Sequence, residues 1–575
     1  MENIRAITSQ ENKSLINTAL RREAPSIFFK HVNILNVYTG VIEKTNIFIS
    51  GKRIAYVGDN NPICLDSTEI VELNNNEILV PGYIEPHAHP NQMYNPFTHG
   101  NFLTSKGTTV SINDNLSLFI NLKDDEAIEF VNLLDQTGIH LWLWWAYFDS
   151  PHKGVSDQEY RFDIDYLRKW GKNPFVVQGG EFTSWPKLMN GDEKISNMLL
   201  FFRQKLGKRI EGHLPGASSD TLNVLAAAGI TADHESLNGK DVINRLKLGY
   251  YAALRYSSIR RDLPNIIQEL VEYPNIYFSR LMLTNDGSAL NFLEYSTHSQ
   301  MIKMVIKLGM KPIDAFRMAT INPATYYRID NMVGGIAPGR LAHINIIEDL
   351  YNPEPISVMV DGEWAYRNKN RCKPLNSKWI NKFLKNPNKY IQIDSIEPTT
   401  SIGIKLLNDV ITKSYQFNPN DDLSEDECYL TYINQEDGSF LNTRIKGFSN
   451  SLIALASTYS ASQDYILIGK NKVKMLEVID EVLKEGGGII SLFDNNEKIK
   501  ISLPLSGIMS TEPIESLKNI VEKFNEAMKN SGFLFDDPTY TLLFLTATHL
   551  PSIRLTKKGL YSIKDKKIFV HNIKI

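Results

Sequence analysis

His87-Ala88-His89 sets two imidazoles two residues apart on a β-type run, and strand alternation turns both to one side, where they can reach one ion. Four more positions carry ligand-type groups at or just beyond the ends of similar runs: Glu181, His213, His234 and Asp286. Each has an ordinary reading on its own. An isolated HxH arises by chance in loops, a single histidine is more often a satisfied core residue, Glu181 alone suits a solvated loop, and Asp286 before Gly287 suits a turn. Together they point elsewhere, because five separate run ends bear an imidazole or carboxylate. His31, His99, His140, His152, His298, His343, His549 and His571 show no such arrangement. Imidazole with carboxylate suits Mn, Fe or Zn, and affinity order alone does not choose among them. A divalent ion held there would lower the pKa of bound water from about 15.7 to about 7.

The elements that must position these groups are short apolar or β-branched runs alternating with stretches of helical period. The expected strands are Tyr83–His87, Thr108–Ile112, His140–Ala146, Phe175–Gly179, Arg209–His213, Ile230–His234, Tyr250–Leu254 and Tyr277–Leu283. Helices are expected at Asp124–Gln136, Glu193–Leu206 and Ser219–Ala228, the last with Ser219-Asp220 in capping positions. Eight such repeats fit a (β/α)₈ barrel, whose active site lies at the C-terminal ends of the strands. Ahead of it, 27–57 reads as antiparallel strands punctuated by Gly40, Gly51 and Gly58. After the helical stretch 310–327 the β pattern returns at 335–367. We read the two β segments as halves of one composite β-sandwich. The expected domains are 1–79, a lead-in and the first part of the sandwich; 80–330, the barrel; 331–400, the second part and a linker; and 401–575, a further α+β domain. In that last domain, strands are expected near 466–468 and 489–492, with a helix at 472–484 ended by Gly486-Gly487-Gly488.

A chain of 575 residues is too long for one core. Its net charge of -3 argues against a general partnership with nucleic acid or anionic membrane. Three dispersed cysteines exclude a disulfide framework and a thiolate zinc cluster. No apolar run reaches membrane-spanning length, and the first residues do not read as a signal peptide, so a soluble cytoplasmic protein is expected. The sequence is compatible with a homo-oligomer.

Several segments resemble adenine deaminases, within the metal-dependent amidohydrolases. Val80–His89 is similar to the strand that delivers an HxH pair, Glu211-Gly212-His213-Leu214-Pro215-Gly216 to GHAPG, and Thr231–Ser236 to SDHES. Arg317–Ala324 and Ile336–Arg340 resemble the segment leaving the barrel, and Leu503–Ser510 resembles LPLPIAGLMS. The resemblance runs from about residue 27 to the C-terminus. It implies two metal ions, with manganese favoured: His87 and His89 on one, His213 and His234 on the other, and Glu181 bridging. Asp286 would contact metal and the nucleophilic water, acting as base and proton relay. Glu235 would either protonate a ring nitrogen or orient His234. The implied reaction converts adenine and water to hypoxanthine and ammonia, with a purine base or similar planar heterocycle as substrate.

Three departures from the pattern fall on polar residues. Pro90-Asn91-Gln92-Met93 stands for Ile-Glu-Ser-Ser, Asn113-Asp114-Asn115-Leu116 for Asp-Pro-His-Glu, and Ser460-Ala461-Ser462-Gln463 for His-Asp-Ser-His. Thr284-Asn285-Asp286 replaces Thr-Asp-Asp. Metal ligation is thus expected to be kept while substrate recognition is open to change. The alternatives are hydrolysis of another cyclic amidine or amide and, less favoured, a non-catalytic binding relative. Among the aromatics, Trp142 and Trp144 read as packing, whereas Trp185, four residues beyond Glu181, is the better pocket candidate.

Overall fold

The computed structural model describes residues 4–149, 164–273, 276–384, 393, 395–548, 550 and 552–574. His152 and His549 lie outside these residues, as does much of the linker expected near 386–401. The described chain forms two compact units: 4–90, 99–149 and 164–376 make one, while 91–98 and the described residues from 377 onward make the other.

The first unit contains an eight-stranded parallel sheet in sequential order, the pattern of a (β/α)₈ barrel. Its strands are Tyr83–Ala88, Thr108–Asn113, Leu141–Ala146, Val176–Phe182, Arg209–Gly212, Ala232–Asp233, Tyr251–Arg255 and Leu281–Thr284, here strands 1 to 8. All eight expected strands are present. Strand 8 is shorter than its apolar run, because Phe278–Arg280 winds into a 3₁₀ turn before it. Strand 8 meets strand 1 through side chains: Thr284 Oγ1 donates to Glu85 Oε1 at 2.6 Å and also lies 3.0 Å from the His87 carbonyl oxygen. The Asn285 N–H reaches Glu85 Oε2 at 3.0 Å.

Local chemistry sets the helix ends. Helix Ser219–Ala228 has the expected bounds, but its cap lies one residue earlier than expected: Ser218 Oγ accepts the Thr221 N–H at 3.1 Å. It stops at Gly229, whose φ of +98° favours glycine. Helix Glu193–Leu200 passes into a π turn at Phe201–Lys205, and the 310–327 stretch breaks into Pro312–Met318 and Ile321–Tyr327.

The β segments on either side of the barrel in sequence do merge. Ile78–Pro81 pairs antiparallel with Ile344–Ile347 inside one nine-stranded sheet. Ile34, Ile47, Leu79, Ile344 and Met359 share its core. The N-terminal lead-in includes helix Ser9–Ala19.

The second unit carries an eight-stranded sheet, a three-stranded sheet and helices Lys472–Lys484, Ile514–Asn530 and Pro538–Phe544. Met475, Val478, Ile479 and Val482 of the first helix pack on Ala454, Ala456, Leu467 and Ile490 of the larger sheet. The triple glycine serves a close approach: a Cβ on Gly487, at φ +126°, would stand 2.6 Å from Gly507 Cα. This joins the Gly486–Gly488 turn to the Leu503–Ser510 motif.

Asp464 is buried in this unit. It accepts the Tyr432 hydroxyl at 2.6 Å, Asn434 Nδ2 at 3.0 Å and the Gln435 N–H at 3.1 Å. Burial outweighs these bonds and pushes its pKa up to about 6 from an ordinary 3.8. The folded state therefore binds more protons between these values, and stability falls as pH rises through that window and stays reduced above it. Asp464→Asn keeps Oδ1 for Asn434 and Gln435 and lets Nδ2 donate to the Tyr432 oxygen. At pH 8 the variant is expected to be more stable by about 1–3 kcal/mol, seen as a higher Tm. At pH 4 the gain should vanish; an equal gain at both pH values would rule out charge burial as its cause.

Candidate metal centre

The five strand ends converge. His87 and His89 face each other with Nε2 atoms 3.3 Å apart, and Asp286 Oδ1 lies 3.3 Å from each of those nitrogens. Glu181 Oε1 is 2.9 Å from His213 Nδ1 and 3.4 Å from His234 Nε2, while its Oε2 is 3.8 Å from His89 Nε2. Three groups have donor atoms close enough to hold an ion: His87 with His89 and Glu181, His87 with His234 and Asp286, and Glu181 with His213 and His234. Nitrogen and carboxylate donors without thiolate fit a divalent ion. Asp286 reaches this cluster although Asn285 precedes it, because a left-handed turn (φ +48° at Asp286, +70° at Gly287) swings the backbone at the end of strand 8.

The next layer was not legible from the motifs. Glu211, on strand 5, holds two imidazoles at once: Oε2 is 3.1 Å from His87 Nδ1 and Oε1 is 3.0 Å from His234 Nδ1. A carboxylate on Nδ1 keeps the proton there and leaves Nε2 free to ligate. Gln178 Nε2 donates to Glu211 Oε2 at 3.1 Å. Burial would raise the pKa of Glu211, but His87 and His234 hold it down at about 2. Asp114, which stands within one of the departures from the family pattern, takes the same part for His89, 2.8 Å from Nδ1. The Tyr147 hydroxyl donates to Glu181 Oε2 at 2.7 Å. Trp145 lies against the centre, stacked on His87 at 4.5 Å between ring centroids.

Glu235 Oε1 stands 3.5 Å from both His213 Nδ1 and His234 Nε2, the nitrogens that also face Glu181. Glu211 occupies the far nitrogen of His234, so that orienting part falls to Glu211. Burial disfavours charge on Asp286 and Glu235, yet both are shifted down. Arg255, then His87 and His89, hold Asp286 well below the usual range; His213, Arg255, His234 and Arg260 lower Glu235.

Of the segment Pro90–Met93, which departs from the family pattern, residues 91–93 lie with 94–98 in the second unit. There Ser510 N–H donates to the Met93 carbonyl at 2.6 Å and Asn95 Nδ2 to the Ser510 carbonyl at 2.7 Å. Among the described residues, no helix is long and apolar enough to cross a membrane.

The amidohydrolase family matches residues 78–365, and the adenine deaminase C-terminal domain matches residues 406–567. A Halalkalibacterium halodurans protein, provisionally named an adenine deaminase, is 39% identical, covering 96% of this chain and 96% of its own. A protein of Bacillus cereus, named in the same provisional way, is 40% identical over 95% of this chain and 94% of its own. An adenine deaminase of Thermosipho melanesiensis is 27% identical over 97% of this chain and 98% of its own. The barrel with ligand-type residues at its strand ends and the match along nearly the whole length agree: the chain belongs to the adenine deaminase branch of the amidohydrolase family.

Proposed function

We propose that this protein hydrolyses adenine to hypoxanthine and ammonia with two divalent ions, manganese being the favoured metal. Membership of the amidohydrolase family implies a divalent metal. The observation that carries the two-ion reading is Glu181, which belongs to two ligand groups that otherwise share no residue. His87, His89 and Glu181 would hold one ion and Glu181, His213 and His234 the other, with Asp286 beside the first pair. Such ions make hydroxide available from water at neutral pH.

The residues then divide the proton work. Asp286, ionised and 3.3 Å from two ligating nitrogens, takes a proton as a water oxygen bonds to C6 of adenine. C6 becomes tetrahedral, and Glu235 passes a proton to a ring nitrogen. Because Glu235 rests as a carboxylate, that proton must first reach it from the attacking water. Asp286 returns its proton to the amino group, the C6–N bond breaks, and ammonia leaves. Trp145 and Tyr147 wall the ligands on the strand-3 side and limit water there.

A second reading, another cyclic amidine or amide as substrate, is favoured by one observation: the residues after His89, Pro90-Asn91-Gln92-Met93, depart from the family pattern. The test is ammonia release from adenine and from a panel of purines, pterins and cyclic imides, with manganese, iron and zinc supplied separately. Adenine should be turned over with the highest kcat/KM. A tenfold preference for another substrate would replace it, and no turnover with any metal would end the deaminase reading. Cys64, Cys372 and Cys428 are all free thiols, which supports a reducing, cytoplasmic setting.

A further inference from the structure

Arg255 ends strand 7 in register with Thr284 of strand 8, so it leaves the sheet between the strand leading to Glu235 and the strand leading to Asp286. Its Nη1 lies 2.9 Å from Glu235 Oε1 and also contacts Asp286 Oδ2. The side chain is 8% exposed. Arg260, in the loop that follows, pairs with Glu235 Oε2 and is itself held by Asp262 Oδ2 at 2.6 Å and the Ser236 carbonyl at 3.2 Å. Each oxygen of Glu235 thus has its own guanidinium, and one of these also grips Asp286.

Stability is a weak reason to keep such an arrangement, because desolvating buried ion pairs offsets most of their attraction. Charge balance is also insufficient: a lysine would supply the same charge, but as a flexible point rather than a planar fork with fixed donor directions. One nitrogen, Nη1, meets both carboxylates, and the guanidinium plane fixes the directions of its two N–H bonds, which a freely rotating ammonium does not. Arginine keeps its proton throughout, so the fork holds its geometry while its partners exchange theirs.

We propose that Arg255 is a positioning residue that sets the spacing between Glu235 and Asp286, with Arg260 locking Glu235 from the other side. The proposal rests on the roles given to these carboxylates above. Its content beyond them is that the fork geometry, rather than positive charge alone, is required.

The test compares Arg255→Lys and Arg255→Ala with wild type, each loaded with cobalt. Three readouts are needed: cobalt bound per chain, the visible cobalt spectrum, and ammonia release from adenine. Both variants should keep wild-type cobalt content and show an altered spectrum, because Asp286 is no longer held against the ligand cluster. Their kcat should fall about 100-fold or more with KM within about threefold, an effect of the size seen when a reacting group is mispositioned. Added guanidinium should restore part of the kcat of Arg255→Ala, and added methylammonium should not. Arg255→Lys with kcat within threefold of wild type and an unchanged spectrum would overturn the proposal, as would cobalt lost in proportion to activity. If Arg255→Ala does not fold, Arg255→Lys carries the same comparison. Failure of the wild type to act on adenine would count against the substrate alone, since the cobalt spectra still report whether Asp286 has moved.

Discussion

Glu181→Ala should lose bound metal and turnover together, with kcat/KM reduced by on the order of 10⁴-fold or more, since the reaction then lacks activated water. Glu181 is shared by the His87–His89 group and the His213–His234 group, so its removal reduces each to two imidazoles. Both of its oxygens are committed. Oε1 lies 2.9 Å from His213 Nδ1, and Oε2 is 2.7 Å from the Tyr147 hydroxyl, which fixes its direction. Elemental analysis of the purified variant should find well under one ion per chain, against the two expected for wild type. His87→Ala should behave alike, because His87 lies in both groups that are completed at strand 1. Normal turnover in either variant would remove the metal centre as the seat of the chemistry.

Asp286→Asn should separate the two properties that Glu181→Ala removes together. Asparagine tolerates the left-handed backbone at this position (φ +48°), so strand 8 should keep its turn. Its amide oxygen can still face His87 and His89, but it cannot take a proton from water. Metal content should therefore stay close to wild type while kcat falls by about 10²–10⁴-fold, the range associated with loss of general acid–base catalysis. Elemental analysis beside steady-state ammonia release measures both. A variant that keeps its metal and turns over within tenfold of wild type would transfer the base role to Glu235, the other carboxylate facing the ligand nitrogens.

The chain shows its candidate ligands openly because each sits at or just beyond a strand end, and strand ends can be read from hydrophobic pattern. His87 and His89 share a face through the two-residue period of a strand, a local property that needs no knowledge of partners. The same holds for the helices: Asp124–Gln136 is legible from its helical period, and Lys472–Lys484 from that period together with the glycines that end it. Strand 8 was less legible. Tyr277–Leu283 carries a β-like composition, but its first part turns as a 3₁₀ helix and only Leu281–Thr284 joins the barrel.

Pairing between distant segments was a different matter. The β segments before and after the barrel looked like halves of one layer, yet only the contact of Ile78–Pro81 with Ile344–Ile347 shows where they join. The orienting carboxylates lay in the same position. Glu211 stood inside a segment already singled out for His213, and Asp114 inside a segment singled out for what it lacked. Neither carries a local mark of its function, because a carboxylate becomes an imidazole partner only when strand order brings it beside one.

Sequence alone thus determined the family, the barrel and the six side chains that converge on its rim. Each of these follows from residue type, local period and motif. Only the tertiary structure decided that Asp286 reaches His87 and His89, that Glu211 spans His87 and His234, and that Arg255 ties Glu235 to Asp286. Those relations join neighbouring strands that are far apart in the chain, and sheet order, not spacing along the sequence, sets the distance between them.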